Sequence, residues 1–271
     1  MTPLVHGLSN SGKRVIVAGA TGSVGQLLVR VLLSDPRVQQ VTAIVRQQPV
    51  ADDRAKTIWS ATNSTLEDKL SQLVVDFDDL GRDKDIAASK QRELIGSAFE
   101  NHDAFLTAIG IYSQATLSED EMDQVESHSV VLGNIAAEAG VARGAYLSGG
   151  GVKQPTLEGR ASSMFARSKG RTEESLANLF PSSHVSCRPA AILDRPGPPA
   201  YGFLDGYLLK TPLFAWLRNT SMAISAVDIA KGMVQGAAFD KQELVNGNVI
   251  WENNDIKEAA KRYDDLLRNE M

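Results

Sequence analysis

The sequence predicts an α/β fold, a doubly wound parallel sheet with a small C-terminal lobe, and three observations predict it. Short β-branched runs alternate with longer amphipathic stretches. Glycines at 19, 22 and 25 fall between the first such run and the helix-like stretch after it. Late in the chain the alternation gives way to a Pro/Gly-punctuated segment rich in aromatic residues. Alternation of this kind lays βαβ units into a parallel sheet, whose ligand crevice lies at the carboxyl ends of the strands.

The strand candidates are Arg14–Ala18, Gln40–Val45, Gln72–Val75, Ala104–Ala108, Gly144–Ser148 and His184–Arg188. Between them lie helix candidates at Val24–Leu33, Asp85–Ala98, Glu119–Ala139 and Ser162–Leu179, with a broken one within Lys56–Leu70. After Arg188, residues 194–224 read as a substrate lobe in which Tyr201, Phe203, Tyr207, Phe214 and Trp216 line an apolar pocket or pack the lobe itself. A helix over Ala226–Phe239, a strand over Asn248–Trp251 and a charged closing helix over Asn254–Arg268 follow. The whole is expected to be one domain spanning residues 1–271.

Composition narrows the function. With 271 residues, 43% of them hydrophobic, the chain can fill one large core. A net charge of −5 and the lack of a long basic run leave nucleic-acid phosphates little to bind. No run of about 18 apolar residues argues for a membrane span, and the opening MTPLVHGLSNSGKR lacks an apolar secretory segment, so a cytoplasmic location is expected. Cys187 is the only cysteine, which excludes an internal disulfide, and it reads as packed rather than reactive. Histidines at 6, 102, 128 and 184 show no ligand spacing, so no metal is assigned. The serine of LSGGG precedes its glycines, the wrong order for a hydrolase elbow.

The glycine loop carries the sharpest signal. In Gly19-Ala20-Thr21-Gly22-Ser23-Val24-Gly25, Gly19 allows a tight turn out of the strand, Gly22 lets backbone amides approach a pyrophosphate, and Gly25 lets the helix pack on the sheet. The anion would rest on a helix N-terminus, with its free N–H groups and partial positive charge. This is a Rossmann-type dinucleotide site. At the end of the second strand, where a carboxylate would select NAD, the sequence has Arg46, so NADP(H) is the expected cofactor.

GATGSVG, IVR, VVDFDDL, HDAFLTAIG, YLSGGG, SCRPAAIL and ISAVDIAKGM, in that order over roughly residues 14–239, resemble the atypical short-chain dehydrogenase/reductases, in the Tat-interacting-protein-like branch near the NmrA-like proteins. The resemblance implies that Asp76 and Phe77 border the adenine. It also implies that Ala108, Ile109 and Gly110 run along the nicotinamide ribose, and that Pro189 to Ile192 lie beside the nicotinamide. The family's Ser and Tyr-x-x-x-Lys fall on Ser148 and Lys169, with Phe165 in the place of the tyrosine. Tyrosine and lysine at i and i+4 share a helix face, where the lysine tunes the phenol that exchanges a proton with substrate. Phenylalanine has no such proton. Tyr112 is the first candidate for a replacement phenol, with Lys169 itself and His128 behind it. Glu119, Asp120, Glu121 and Asp123 open the helix after the fourth strand and suit its dipole.

Three functions follow. The leading one is an NADP(H)-dependent reductase-type enzyme acting on a small apolar carbonyl compound, with Ser148, Lys169 and Tyr112 at the oxygen. The second is a non-redox isomerase or cyclase of specialised metabolism that keeps NADP(H) as scaffold. The third is a non-catalytic NADP(H)-sensing regulator. The expected partners are a small apolar substrate and a second copy in a homodimer.

Overall fold

The computed structural model describes residues 12–46, 48–60, 68–80, 86–110, 118–159, 161–181, 183–196, 220–240 and 248–270. Seven strands form one sheet in which every pairing is parallel: β1 (Lys13–Ala18), β2 (Val38–Arg46), β3 (Leu70–Val75), β4 (Ala104–Thr107), β5 (Arg143–Leu147), β6 (His184–Arg188) and β9 (Asn248–Glu252). Their order is β3-β2-β1-β4-β5-β6-β9, so winding reverses between β1 and β4. Ligands of doubly wound sheets bind at that reversal, beyond the carboxyl ends of the strands.

The interior strands are covered on both faces; β1 buries apolar residues on each, whereas β6 alternates apolar Val185 and Cys187 with buried polar His184, Ser186 and Arg188. On one face, Val15 and Val17 of β1 pack with Leu28 and Leu32 of α1 (Gly25–Ser34), Ile229 and Met233 of α8 (Ala226–Val234), and Ile256 and Ala259 of α9 (Asn253–Glu270). Ile16 and Ala18 turn to the other face, with Ile95 and Phe99 of α4 (Ile86–Phe99), Leu132 and Ile135 of α5 (Glu119–Glu138) and Leu176 of α7 (Met164–Leu179). Burying each such aliphatic side chain contributes about 1.5–3 kcal/mol.

The predicted strands of the large sheet are present, within two residues at either end. Other expectations need correction. Of the broken helix expected within Lys56–Leu70, residues 61–67 lie outside the described residues; its first part belongs to α2, Asp52–Trp59, which starts earlier, with Asp52 and Asp53 in an acidic first turn. It stops at Ser60, which is left-handed (φ 51°), and Arg30 of α1 donates to its last carbonyls, Ile58 O (2.6 Å) and Thr57 O (3.1 Å). Ala226–Phe239 is not one α-helix: from Gln235 to Phe239 it widens into a π-helix. A Cβ on Gly236 would lie 2.6 Å from the Trp251 ring, so backbone and indole are in close contact at that turn. Two short helices, α3 (Phe77–Leu80) and α6 (Pro155–Glu158), were not expected. Nor was a small parallel sheet of β7 (Ala191–Leu193) and β8 (Ala223–Ser225), which brackets the start and end of the predicted lobe. Tyr201, Phe203, Tyr207, Phe214 and Trp216 lie outside the described residues. No helix among the described residues is long and apolar enough to cross a membrane.

Candidate dinucleotide crevice

The loop from β1 to α1 is shaped by absent side chains. Gly19 has φ +77°, and a Cβ on it would stand 2.8 Å from the Ala108 carbonyl carbon, so only glycine lets this turn touch the end of β4. The Gly22 amide donates to Gly19 O at 2.9 Å. A Cβ on Gly25 would lie 1.9 Å from that same Gly19 oxygen. Thr21 and Gly22 are exposed and Ser23 half-exposed, while Val24 is buried against the core. Val24 occupies the N-cap of α1 without any side-chain cap, and no acid stands in the first turn. The helix therefore presents uncompensated amide charge to the crevice, which suits an anion. Behind the loop, the buried Trp59 indole donates to Ala20 O at 2.9 Å and fixes its height.

Arg46 is exposed at the end of β2, beside Val75 of β3. Its positive charge helps hold the His128 imidazole below its usual range, behind burial as the larger cause. His128 of α5 lies against Phe77, with ring centroids 4.7 Å apart. Asp76 is exposed, and its Oδ1 accepts from the Asp78 amide at 3.0 Å, so it also caps the short α3. Arg46, Asp76, Phe77 and His128 thus gather along one wall, at the ends of β2 and β3. Tyr112 lies outside the described residues.

Across the reversal, Ala108 and Ile109 are half-buried and Gly110 is exposed at the end of β4. Ser148 follows β5; it is 5% exposed, and its Oγ is buried without a hydrogen-bond partner. Ser168 Oγ of α7 is buried without a partner as well, so an orphan hydroxyl leaves Ser148 open to a ligand without by itself marking one. Its amide donates to Cys187 O at 2.8 Å, and Gly150 donates to Pro189 O at 2.8 Å, so the loops after β5 and β6 are zipped together. Pro189 is buried and Ile192 half-buried within β7. Cys187 is buried, and burial pushes its thiol far above the usual range, in keeping with a packing role.

Phe165 and Lys169 face the same loop from α7. A Cβ on Gly149 would meet the Phe165 ring at 2.8 Å, so that glycine makes the room the ring fills. Lys169 Nζ sits 5.5 Å from the Phe165 centroid. Its closest partners are two residues that sequence reasoning missed. Glu126 of α5 pairs with it at 2.9 Å, Tyr146 Oη of β5 accepts from it at 3.0 Å, and Leu147 O accepts at 3.2 Å. Tyr146 in turn donates to Glu126 Oε2 at 2.5 Å. Burial first, and then the negative charge of Glu126, hold the Tyr146 phenol well above its usual range, so it stays protonated. One signal for Glu126 was available: it falls on the stripe of Met122, Ser129 and Gly133 that α5 buries, and a charge on such a stripe demands a partner.

A second buried cluster stands behind the first. Arg188, at the end of β6, bonds both oxygens of Glu173 of α7 and reaches Glu158 of α6 at 2.6 Å. It holds the segment after β5 against the sheet. The acidic opening of α5 has its own partners. Ser118 and Glu121 form a capping box, Glu119 pairs with Arg167 and Arg171, and Asp123 pairs with Arg171, which clamps α5 to α7. Among the described residues no group of three or more potential metal ligands converges.

No protein-family model matches the sequence, and no curated protein does. Solved structures do. The short-chain dehydrogenase/reductase of Serratia marcescens is 18% identical, with 90% of this chain and 97% of that one covered at a TM-score of 0.59. MoeE5, in complex with UDP-glucose and NAD, is 14% identical over 93% of this chain and 81% of its own, with a TM-score of 0.57. The Bordetella bronchiseptica enzyme WbmG, in complex with NAD, is 14% identical over 98% and 80%, with a TM-score of 0.55. At these identities the likeness is one of fold: the chain has the Rossmann-type α/β architecture that these enzymes share.

Proposed function

We propose that the crevice binds NADP(H) and that the protein is a reductase-type enzyme acting on a small apolar carbonyl compound. The observation that carries the reading is the β1–α1 loop: glycines that admit no side chain, and an uncapped, acid-free helix end at the reversal between β1 and β4. The NAD-bound fold neighbours support a nicotinamide dinucleotide in general. The exposed Arg46, with no carboxylate at the end of β2, supports the 2′-phosphorylated form. Thr21, Gly22 and Ser23 face the pyrophosphate in this reading, Asp76 and Phe77 the adenine, Ala108 and Gly110 the ribose, and Pro189 and Ile192 the nicotinamide.

When bound, the nucleotide supplies or accepts a hydride. The protein's part is to hold the carbonyl oxygen, and the Ser148 hydroxyl is free to donate to it, since nothing else engages that group. Phe165 forms an apolar wall beside it, and the proton that completes an alcohol comes from solvent.

A second reading keeps the nucleotide but removes the hydride step, as a non-redox isomerase or cyclase or as a sensing protein. Phe165 and the fully engaged Lys169 favour it. One experiment separates the two: NADPH and NADH are titrated into the protein, and NADPH absorbance is followed with a panel of apolar aldehydes and ketones. The leading reading expects NADPH to bind more tightly than NADH, and turnover to fall about a hundredfold in Ser148→Ala. Tight binding without turnover, together with new activity in Phe165→Tyr, would move the conclusion to the second.

A further inference from the structure

Lys169 brings three N–H bonds to the crevice floor, and all three are taken up inside the protein. The acceptors are Glu126 Oε1 at 2.9 Å, Tyr146 Oη at 3.0 Å and Leu147 O at 3.2 Å. Tyr146 returns its own proton to the other oxygen of Glu126 at 2.5 Å, so lysine, carboxylate and phenol close into a ring. The ring joins three elements, α5, β5 and α7. It is neutral as a whole and nearly sealed, with the Lys169 and Glu126 side chains 6% and 5% exposed. The next carboxylate, Glu173, is itself paired with Arg188.

The ring lies directly under the ribose strip of the proposed site. A Cβ on Gly110 would stand 3.0 Å from both Lys169 Nζ and Glu126 Oε1. A dinucleotide lying along Ala108 to Gly110 would therefore pass over the lysine, but no N–H of that lysine is free to meet it. Turning one toward a ribose hydroxyl would break a bond in a buried place, where lost hydrogen bonds are not replaced by water.

We propose that Glu126 and Tyr146 are positioning residues of this site: they hold the Lys169 ammonium by all its N–H bonds, so that it meets the nucleotide as a fixed, paired charge and Ser148 Oγ remains the hydroxyl that bonds the ligand. The inference deepens the proposed function and rests on it only for the identity of the ligand, since the ring exists without one. Lys169 is then a structural cation held by its neighbours, and the Tyr146 phenol serves it from the adjacent strand rather than from its own helix.

The test reads the lysine itself. In protein labelled with 13C-lysine, the Lys169 Cε signal is identified by its loss in Lys169→Arg and titrated with and without saturating NADPH. NADPH should move the wild-type signal by less than the loss of the Glu126 charge does. In nucleotide-free Glu126→Gln, the proton affinity of Lys169 should fall at least about tenfold, because a buried cation has lost its counter-charge. Tyr146→Phe should give a smaller fall of the same sign. A folded Glu126→Gln with unchanged Lys169 titration would overturn the proposal, as would NADPH shifting the wild-type signal as far as that substitution does. Should Glu126→Gln fail to fold, Tyr146→Phe carries the test, and an unchanged titration there overturns it. If NADPH does not bind at all, the nucleotide reading fails while the nucleotide-free titrations still decide the ring.

Discussion

The two halves of the sheet build their sides of the crevice by opposite means. On the β1–β2–β3 side, function depends on what is missing: side chains at Gly19 and Gly25, a cap at Val24 and an acid in the first turn of α1. On the β4–β5–β6 side it depends on charges carried inside, Lys169 with Glu126 and Arg188 with Glu173. Backbone geometry of the first kind is set by a few adjacent residues. Buried ion pairs need partners brought from three elements, and their stability depends on each partner being present. The first half should therefore respond to added atoms, and the second to removed ones.

Removal should have the largest effect. Glu173→Ala leaves the Arg188 guanidinium, whose side chain is 5% exposed, with Glu158 alone. Breaking a buried pair costs about 3–5 kcal/mol, and the remaining Glu158 bonds put this case near the lower end. Urea unfolding measures it, and a loss under about 1 kcal/mol would mean that the second half is not held by its charges. Addition comes next. Gly25→Ala forces a methyl to within 1.9 Å of Gly19 O, so the loop must shift, at the upper end of the roughly 1–3 kcal/mol that overpacking costs. NADPH binding should weaken by about a hundredfold or more with it. A destabilised Gly25→Ala that binds NADPH normally would put the nucleotide elsewhere.

Arg46→Ala should be milder, because its guanidinium is exposed and screened. NADPH affinity should fall about tenfold to a hundredfold, the scale of a charge-assisted bond, while NADH affinity stays where it was. Equal losses for both nucleotides would show that Arg46 reads something other than the 2′-phosphate.

The same contrast explains what could be read from the sequence. Glycines three apart between a β-branched run and an amphipathic one are a local pattern, and the β1–α1 turn follows from them. Phe165 and Lys169 came from the resemblance to the Tyr-x-x-x-Lys pattern, which places them four residues apart on one helix. Glu126 and Tyr146 were not visible, since they stand 43 and 23 residues from Lys169 in the chain and meet it only through the sheet. Nor does Tyr146 differ in pattern from its apolar neighbours, because a phenol in a buried strand looks like core until its oxygen finds a partner. The three-residue strands β7 and β8 are too short to show a period, and the π-helical turn that follows α8 packs against Trp251, a residue of another element. What escaped the sequence was contact at long separation.

The two halves also differ in how they bury a histidine, and acid should expose it. His102, after α4, bonds Thr42 Oγ1 at 2.9 Å and the Phe99 and Glu100 carbonyls through Nδ1, bonds that favour its charged form against the burial that lowers its pKa. His184 of β6 is 1% exposed, stacked on Phe180, with Ser186 Oγ on Nε2 and no partner on Nδ1. Burial alone pushes its pKa down to about 3. The unfolded chain then takes up a proton near pH 6.5 that the folded one refuses. Stability from the neutral ring is complete above that pH and drains away as pH falls toward 3, at about 1.4 kcal/mol per pH unit. Urea unfolding of wild type and His184→Leu between pH 7 and 4 should show the slope flattened in the variant, and less so in His102→Leu. Equal slopes in wild type and His184→Leu would mean that water reaches this ring, and that the second half of the sheet is less closed to solvent than its buried charges imply.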